Sequence, residues 1–331
     1  MKSKYIMTMG NLSRKDNSLD FKNEKGHNYI PIEGVREIYI LNEVSVNSKL
    51  LSYLSKYGII LHFFDYFGHY TGTYYPKEKY ISGKLLIKQV YAFTNKREKI
   101  AKSIIKGIIE NIHFVLYHYY KHGINEVKPF LGDLKKIYLR DLEKDINISQ
   151  IMAIEGAVWQ NFYNQFKFFL NEDFIFNKRV KRPPDNPINA LISFGNSLLY
   201  TRTISQIYRT HLDQSISFLH EPVQSRFSLS LDLSESFKPL IVFKTIFDLV
   251  NHNSLKVKEH FDNKLNYCIL NPQGRKIFIK AFEERLDKKF KHGKLKRLVS
   301  YNTAIKIDGY KLIKDIMEDK PFIPYIEKIK I

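Results

Sequence analysis

The sequence predicts an α+β protein: a small β-rich N-terminal domain, residues 1–80, followed by a larger all-helical C-terminal domain, residues 81–331. Three observations carry that expectation. At roughly 100–200 residues per domain, a chain of 331 residues has room for two. Apolar residues make up 44% and aromatics 14%, with 22 Tyr and 24 Phe, which is enough for a packed core and excludes a disordered chain. Near residue 83 the pattern changes from short β-branched and aromatic runs to a helical period.

In the first 80 residues the runs YIMTM, SLDFKN, REIYIL, IILHFFD and HYTGTYY read as strands. Lys25-Gly26-His27-Asn28 and Phe67-Gly68-His69 read as turns. One short helix is predicted among the strands, with Asn47-Ser48 at its cap, Leu50, Leu51 and Leu54 on its inner face, and Tyr57-Gly58 closing it. Pro76 and the polar KEKYISG stretch mark the domain boundary. Beyond it, Ile100, Ile104, Ile105, Ile108, Ile109 and Ile112 recur at helical spacing. Further helices are expected over about residues 128–145, 149–171, 187–211, 231–251, 272–290 and 300–319, with Pro187 and Pro272 as first helical residues.

Charge narrows the function. Lys and Arg number 53 against 34 Asp and Glu, a net +19 with a pI near 9.6. Such an excess points to a polyanion, nucleic acid first and an anionic membrane surface second. The densest run, Arg275 to Arg297, holds ten Lys or Arg against three acids, on a predicted helix with Ile277, Phe278, Phe282 and Leu286. A single cysteine, Cys268, excludes an internal disulfide framework and a thiolate-rich metal site. The N-terminus has no apolar stretch of signal-peptide length, and the apolar region around residues 100–120 is broken by Lys102, Lys106 and Glu110. The expectation is a cytoplasmic protein with no membrane span.

Motifs of nucleotide and acyl chemistry are absent: the sequence has no GxxxxGK[ST], no GxGxxG after a strand and no GxSxG. Three segments do carry chemistry. In SQIMAIEGAVWQNFY, Glu155 lies beside the apolar stripe of Ile151, Ile154, Val158 and Phe162, where a carboxylate is costly unless paired or bound to a cation. In FLHEPVQSRFSLSLDLSE, His220 precedes a Pro222 loop, and Asp232 and Glu235 follow three apart at the opening of a helix. Taken singly, each of these acids reads equally well as a salt-bridged or helix-dipole residue. Together, Glu155, His220, Asp232 and Glu235 form a hard-to-borderline donor set suited to Mg²⁺ or Mn²⁺, and in a basic protein that points to phosphodiester chemistry. The third segment, KRVKRPPDNPINALISFGNSLLY, sets Lys178, Arg179, Lys181 and Arg182 before a helix N-terminus, a phosphate-binding arrangement or a basic linker.

These segments resemble those of the CRISPR-associated integrases, the first of the two adaptation proteins that insert new spacers into a repeat array. AIEGAVWQNFY, KRPPDNPINALISFGNSLL, FLHEP and SLSLDLSESFKP occur in the family's order. The resemblance implies an N-terminal β domain serving dimerisation and DNA contact and a helical catalytic domain. It implies a homodimer acting on double-stranded DNA with the small second adaptation protein as partner. It also implies a divalent-metal site at Glu155, His220 and Glu235 with Asp232 beside them. The chain departs from the family where the loop after His220 reads Val223, Gln224, Ser225, Arg226, and where Asn186 and Lys238 replace the usual Asp and Arg. Arg179, Lys181, Arg182, Arg226 and Lys238 are the expected DNA contacts. The reaction so implied is attack of a DNA 3′-hydroxyl on a target phosphodiester; the alternatives are plain metal-dependent hydrolysis and a non-catalytic DNA-binding module.

Overall fold

A computed structural model describes residues 2–77, 82–222, 227–264, 266–293 and 295–329. The chain divides into two compact units, Met1–Lys79 and Tyr80–Ile331.

Among its described residues the first unit holds eight strands and one α-helix: β1 (Lys2–Ile6), β2 (Gly10–Lys15), β3 (Ser18–Asn23), β4 (Gly26–Pro31), β5 (Val35–Ile40), β6 (Val44–Val46), α1 (Ser48–Tyr57), β7 (Ile60–Phe64) and β8 (Tyr70–Tyr74). They form two four-stranded sheets, ordered β1-β5-β7-β8 and β4-β3-β2-β6. Each is mixed, with β1, β5 and β7 parallel in one and β2 parallel to β6 in the other. Leu12, Leu19 and Phe21 from one sheet, Ile38, Ile40 and Leu61 from the other, and Leu50 and Leu54 of α1 bury into a common core. Asn47 caps α1 by accepting from the Leu50 amide, and Gly58 ends it at φ +65°, a left-handed conformation that glycine adopts without a Cβ clash. The strands β2, β4 and β6 were not among the expected runs. β2 and β4 are largely polar, and GNLSRK of β2 buries only Leu12, while β6 is only three residues long, Val44-Ser45-Val46.

The second unit is built on α2 (Gly83–Lys121), a helix of 39 residues. There follow α3 (Lys128–Asp133), α4 (Leu139–Glu143), α5 (Ile148–Asn164), α6 (Pro187–Ile207), α7 (Ser228–Glu235), α8 (Lys244–Asn251) and α9 (Val257–His260). A hairpin of β9 (Phe261–Lys264) and β10 (Tyr267–Leu270) leads to α10 (Pro272–Asp287), and a second hairpin, β11 (Lys289–Lys291) and β12 (Leu298–Ser300), to α11 (Tyr301–Glu318). The unit is thus predominantly helical with two short hairpins. The basic run 275–297, expected on one helix, leaves α10 at Asp287 and continues into the second hairpin.

α6 is buried around nearly its whole circumference, polar residues such as Asn189, Arg202 and Gln206 included. α5 packs on α2, and α6 on α7 and α11. The helix expected over 231–251 is two helices, α7 and α8, joined through a wide turn at Pro239–Phe243. Pro239 has no amide hydrogen to continue the ladder, which accounts for the break. Asp232 and Glu235 therefore lie in the second half of α7 instead of opening a helix, and favourable placement at a helix N-terminus does not explain them.

Candidate acid–histidine centre

His220 sits on the loop between α6 and α7, and α2 holds that loop from one side. Gln89 donates to the carbonyls of Asp213 (2.8 Å) and Ile216 (3.1 Å) and accepts from the Asp213 amide. Eight residues along, Arg97 donates to the Phe218 carbonyl (3.0 Å) and pairs with Glu221. α7 holds the other side. The Asp232 carboxylate is fully buried and accepts from the amides of Phe218 (2.6 Å), Leu219 (2.8 Å) and His220 (3.1 Å), and from His220 Nδ1 (2.8 Å). A carboxylate accepts and cannot donate, so Nδ1 carries a proton, and whenever the ring is neutral its lone pair lies on Nε2. Burial disfavours the imidazolium, but the hydrogen bond to Asp232 and the neighbouring Glu235 charge outweigh it and raise the pKa above the usual 6.5.

Glu235 is the last residue of α7, with 2% of its surface exposed. Its Oε1 accepts from the Lys238 ammonium, whereas its Oε2 is buried without a hydrogen-bond partner among the described residues. Lys238 also lies 5.9 Å from the Trp159 ring centre. Glu155, on α5, takes a hydrogen bond from Trp159 one turn further along and feels the charges of Glu235, Lys238 and His220. Burial, then the Glu235 carboxylate, raises its pKa above the ordinary glutamate value. The sequence segments bearing Glu155, His220 and Glu235, up to 80 residues apart in number, thus share one electrostatic environment.

That set suits a hard divalent cation: one imidazole nitrogen and two carboxylates, with Glu235 Oε2 desolvated and awaiting a partner. Among the described residues no three His, Cys, Asp or Glu side chains are close enough to cage a metal ion as they stand. The Lys238 ammonium supplies the positive charge that Glu235 faces.

The expected DNA contacts divide. Lys178, Lys181 and Arg182 are exposed. Arg179 turns inward and donates to Asn189 Oδ1 (3.0 Å) and Ser193 Oγ (2.9 Å) on α6, beside the Tyr163 phenol. Lys238 is engaged by Glu235, and Arg226 lies outside the described residues. Sequence reasoning missed Trp159 and Tyr163, which stand one and two turns beyond Glu155 on α5. The signal was the i, i+4, i+8 spacing from the glutamate.

Fold and centre together define a class: a basic protein with a strand-rich unit and a helical unit, the latter gathering two carboxylates and an oriented histidine. A family model described as CRISPR associated protein Cas1 matches residues 4–284, and the chain belongs to that family. It is 43% identical over 328 residues, 98% of each chain, to "CRISPR-associated endonuclease Cas1 2" of Thermodesulfovibrio yellowstonii. The solved structure of a Cas1 protein from Thermotoga maritima superposes with a TM-score of 0.87 at 37% identity, covering 97% of this chain and 99% of the other. A casposase bound to integration product shares the fold, with a TM-score of 0.86 at 22% identity over 100% and 96% of the two chains.

Proposed function

We propose that this chain is a divalent-metal-dependent DNA endonuclease and integrase that inserts new spacers into a CRISPR array by transesterification. The observation that carries the reading is the His220–Asp232 pair, which directs the lone pair of the neutral imidazole to Nε2 in the same electrostatic environment as two carboxylates, one with an unpartnered oxygen. Glu155, His220 and Glu235 would hold Mg²⁺ or Mn²⁺. Such an ion supplies Lewis-acid charge that makes a hydroxyl more acidic and steadies a departing oxygen.

The chain's own residues do the rest. Asp232 keeps the imidazole in one tautomer and orientation. Trp159 orients the Glu155 carboxylate through its indole N–H. Lys238 neutralises Glu235 until the cation arrives. In the reaction the 3′-oxygen of the incoming strand bonds to phosphorus as the bond to the target's own 3′-oxygen breaks. One phosphodiester replaces another, and neither water nor a nucleotide cofactor is consumed.

Double-stranded DNA is the substrate that a net charge of +19 favours. Lys181 and Arg182, with Lys289 and Lys291 of the β11–β12 hairpin, present exposed charge to its backbone. A homodimer is supported by the exposed apolar stripe Leu86, Ile87, Val90 and Tyr91 on one face of α2. The small second adaptation protein is the proposed partner, and the cytoplasm the proposed location. No helix among the described residues is long and apolar enough to cross a membrane.

The test is strand transfer of a 3′-hydroxyl duplex into a supercoiled target with Mg²⁺, Mn²⁺ or a chelator. Joined product with either metal and none with the chelator supports the reading. Nicking without joining would reduce the protein to a nuclease, and binding without either would make it a DNA-binding module.

A further inference from the structure

The last eleven described residues, Asp319 to Ile329, form neither helix nor strand, and buried side chains of the helical unit hold part of their backbone. Asp315 accepts from the Phe322 amide (2.6 Å) and Asp308 from the Tyr325 amide (2.7 Å). Both acids are almost fully buried and stand two turns apart on α11. Asn111 of α2, with no surface exposed, donates to the Tyr325 carbonyl (2.9 Å) and accepts from the Glu327 amide (2.9 Å). Its second N–H donates to the Ser236 carbonyl at 2.7 Å. Every hydrogen-bonding hydrogen of that amide is used.

Ser236 is the residue after Glu235. Two further contacts bind the same stretch to the same segment. One turn before Asn111, Gly107 leaves a gap that Ser236 and Pro324 both fill: a Cβ there would meet Pro324 Cγ at 2.6 Å and Ser236 Cβ at 3.1 Å. Phe237 stacks on Tyr325, with ring centres 5.9 Å apart and planes within 5°. The Tyr325 hydroxyl in turn donates to Glu327 (2.7 Å), which also accepts from Tyr301 (2.5 Å).

We infer that the C-terminal segment 322–327 is a positioning strap for the acid–histidine centre, with Asn111 the residue that couples it to the Glu235 end of α7. The physical reason lies in the turn that follows. At Pro239 the helix loses a donor and widens, so the backbone ladder alone does not fix where α7 stops. Asn111, Gly107 and the Phe237–Tyr325 stack supply the missing constraint from outside, within two residues of the Glu235 carboxylate. The fully paired amide of Asn111 fits this role better than general packing does, since an apolar side chain would fill the same space without fixing a carbonyl.

The inference rests on the metal-binding reading of the centre, and its test separates the two. Mn²⁺ affinity by calorimetry, duplex affinity by gel shift and the thermal midpoint would be measured for the full chain and for Asn111→Leu, Gly107→Ala and Phe278→Leu. Phe278, whose ring meets Phe194, Phe282 and Gly195 and none of residues 322–327, controls for loss of stability alone. The expected result is Mn²⁺ affinity at least fivefold weaker in Asn111→Leu and Gly107→Ala, with duplex affinity within twofold of the unsubstituted chain. Phe278→Leu should lower the midpoint by a similar amount and leave Mn²⁺ affinity within twofold. The strap is overturned if the unsubstituted chain binds Mn²⁺ and both seam variants bind it equally well, or if Phe278→Leu weakens it as much. If Asn111→Leu fails to fold, Gly107→Ala, which adds one methyl, decides. Failure of the unsubstituted chain to bind Mn²⁺ would overturn the metal centre itself, and the strap with it.

Discussion

His220 Nδ1 lies 2.8 Å from Asp232 Oδ1, and that carboxylate also collects three backbone amides from residues 218–220. Asp232 therefore folds the loop and aims the ring at once. Asp232→Asn keeps the shape but points an N–H at amides that need an acceptor. The expected cost is about 2–4 kcal/mol of stability, with metal affinity down about 10–100-fold. Chemical denaturation and metal titration on one preparation check both; loss of neither would show that the four bonds matter little.

Glu155→Gln should separate stability from activity in the opposite sense. Glu155 is held beside Glu235 in a desolvated site, and both causes penalise its charge. Removing that charge should raise the thermal midpoint by the equivalent of up to about 1 kcal/mol, while strand transfer and cleavage disappear. A midpoint that falls sharply would mean that the carboxylate is structural.

Lys238→Met keeps the side-chain stem and removes the ammonium from a pair that is 14% and 3% exposed. Glu235 would then be buried without a counter-charge, at a cost of about 3–5 kcal/mol in the presence of a chelator. Mn²⁺ should restore the midpoint of this variant by more than it raises that of the unsubstituted chain, because the ion replaces the lost charge. Thermal scans with and without metal distinguish this from a lysine that serves DNA alone, for which the two chains would respond to Mn²⁺ alike.

Away from the centre, His113 on α2 gives a pH signature. Burial, aided by Lys135, lowers its pKa from 6.5 to about 4. Between those values the unfolded chain takes up a proton that the folded chain refuses. Stability should thus fall as pH drops from 6.5 towards 4, by up to about 1.4 kcal/mol per unit, and this contribution should level off below. In His113→Asn that component of the acid slope should be absent, as urea midpoints at several pH values would show. An unchanged slope would locate the acid sensitivity elsewhere.

The helical unit was legible because its apolar residues recur at 3.6-residue spacing and its caps are explicit: Asn147, Asn186, Asn271 and Ser300 each accept an amide at the start of their helices. The edges of the strand unit were not, since β4 buries no residue fully and β6 is only three residues long. In the centre, Glu155, His220, Asp232 and Glu235 could be named from the sequence as a donor set. Their roles could not, because what separates Asp232 from Glu235 is three amides donated by another segment. Likewise the charge of Arg179 was visible, while its engagement by Asn189 and Ser193 depends on how α6 packs.

The long helix α2 has a consequence for the chain's tolerance of changes in length. Gln89 and Arg97 hold the His220 loop, Lys96 donates to the Asp315 carbonyl, and Gly107 and Asn111 meet the residues after Glu235. One inserted residue turns everything beyond it by about 100° and shifts it by about 1.5 Å. Seven restore the angle almost completely but displace the far anchors by about 10 Å. No insertion or deletion between Arg97 and Gly107 keeps both sets of anchors in phase. The helix thus works as a ruler of fixed length: a substitution between its anchors leaves their interval intact, whereas a change in length does not.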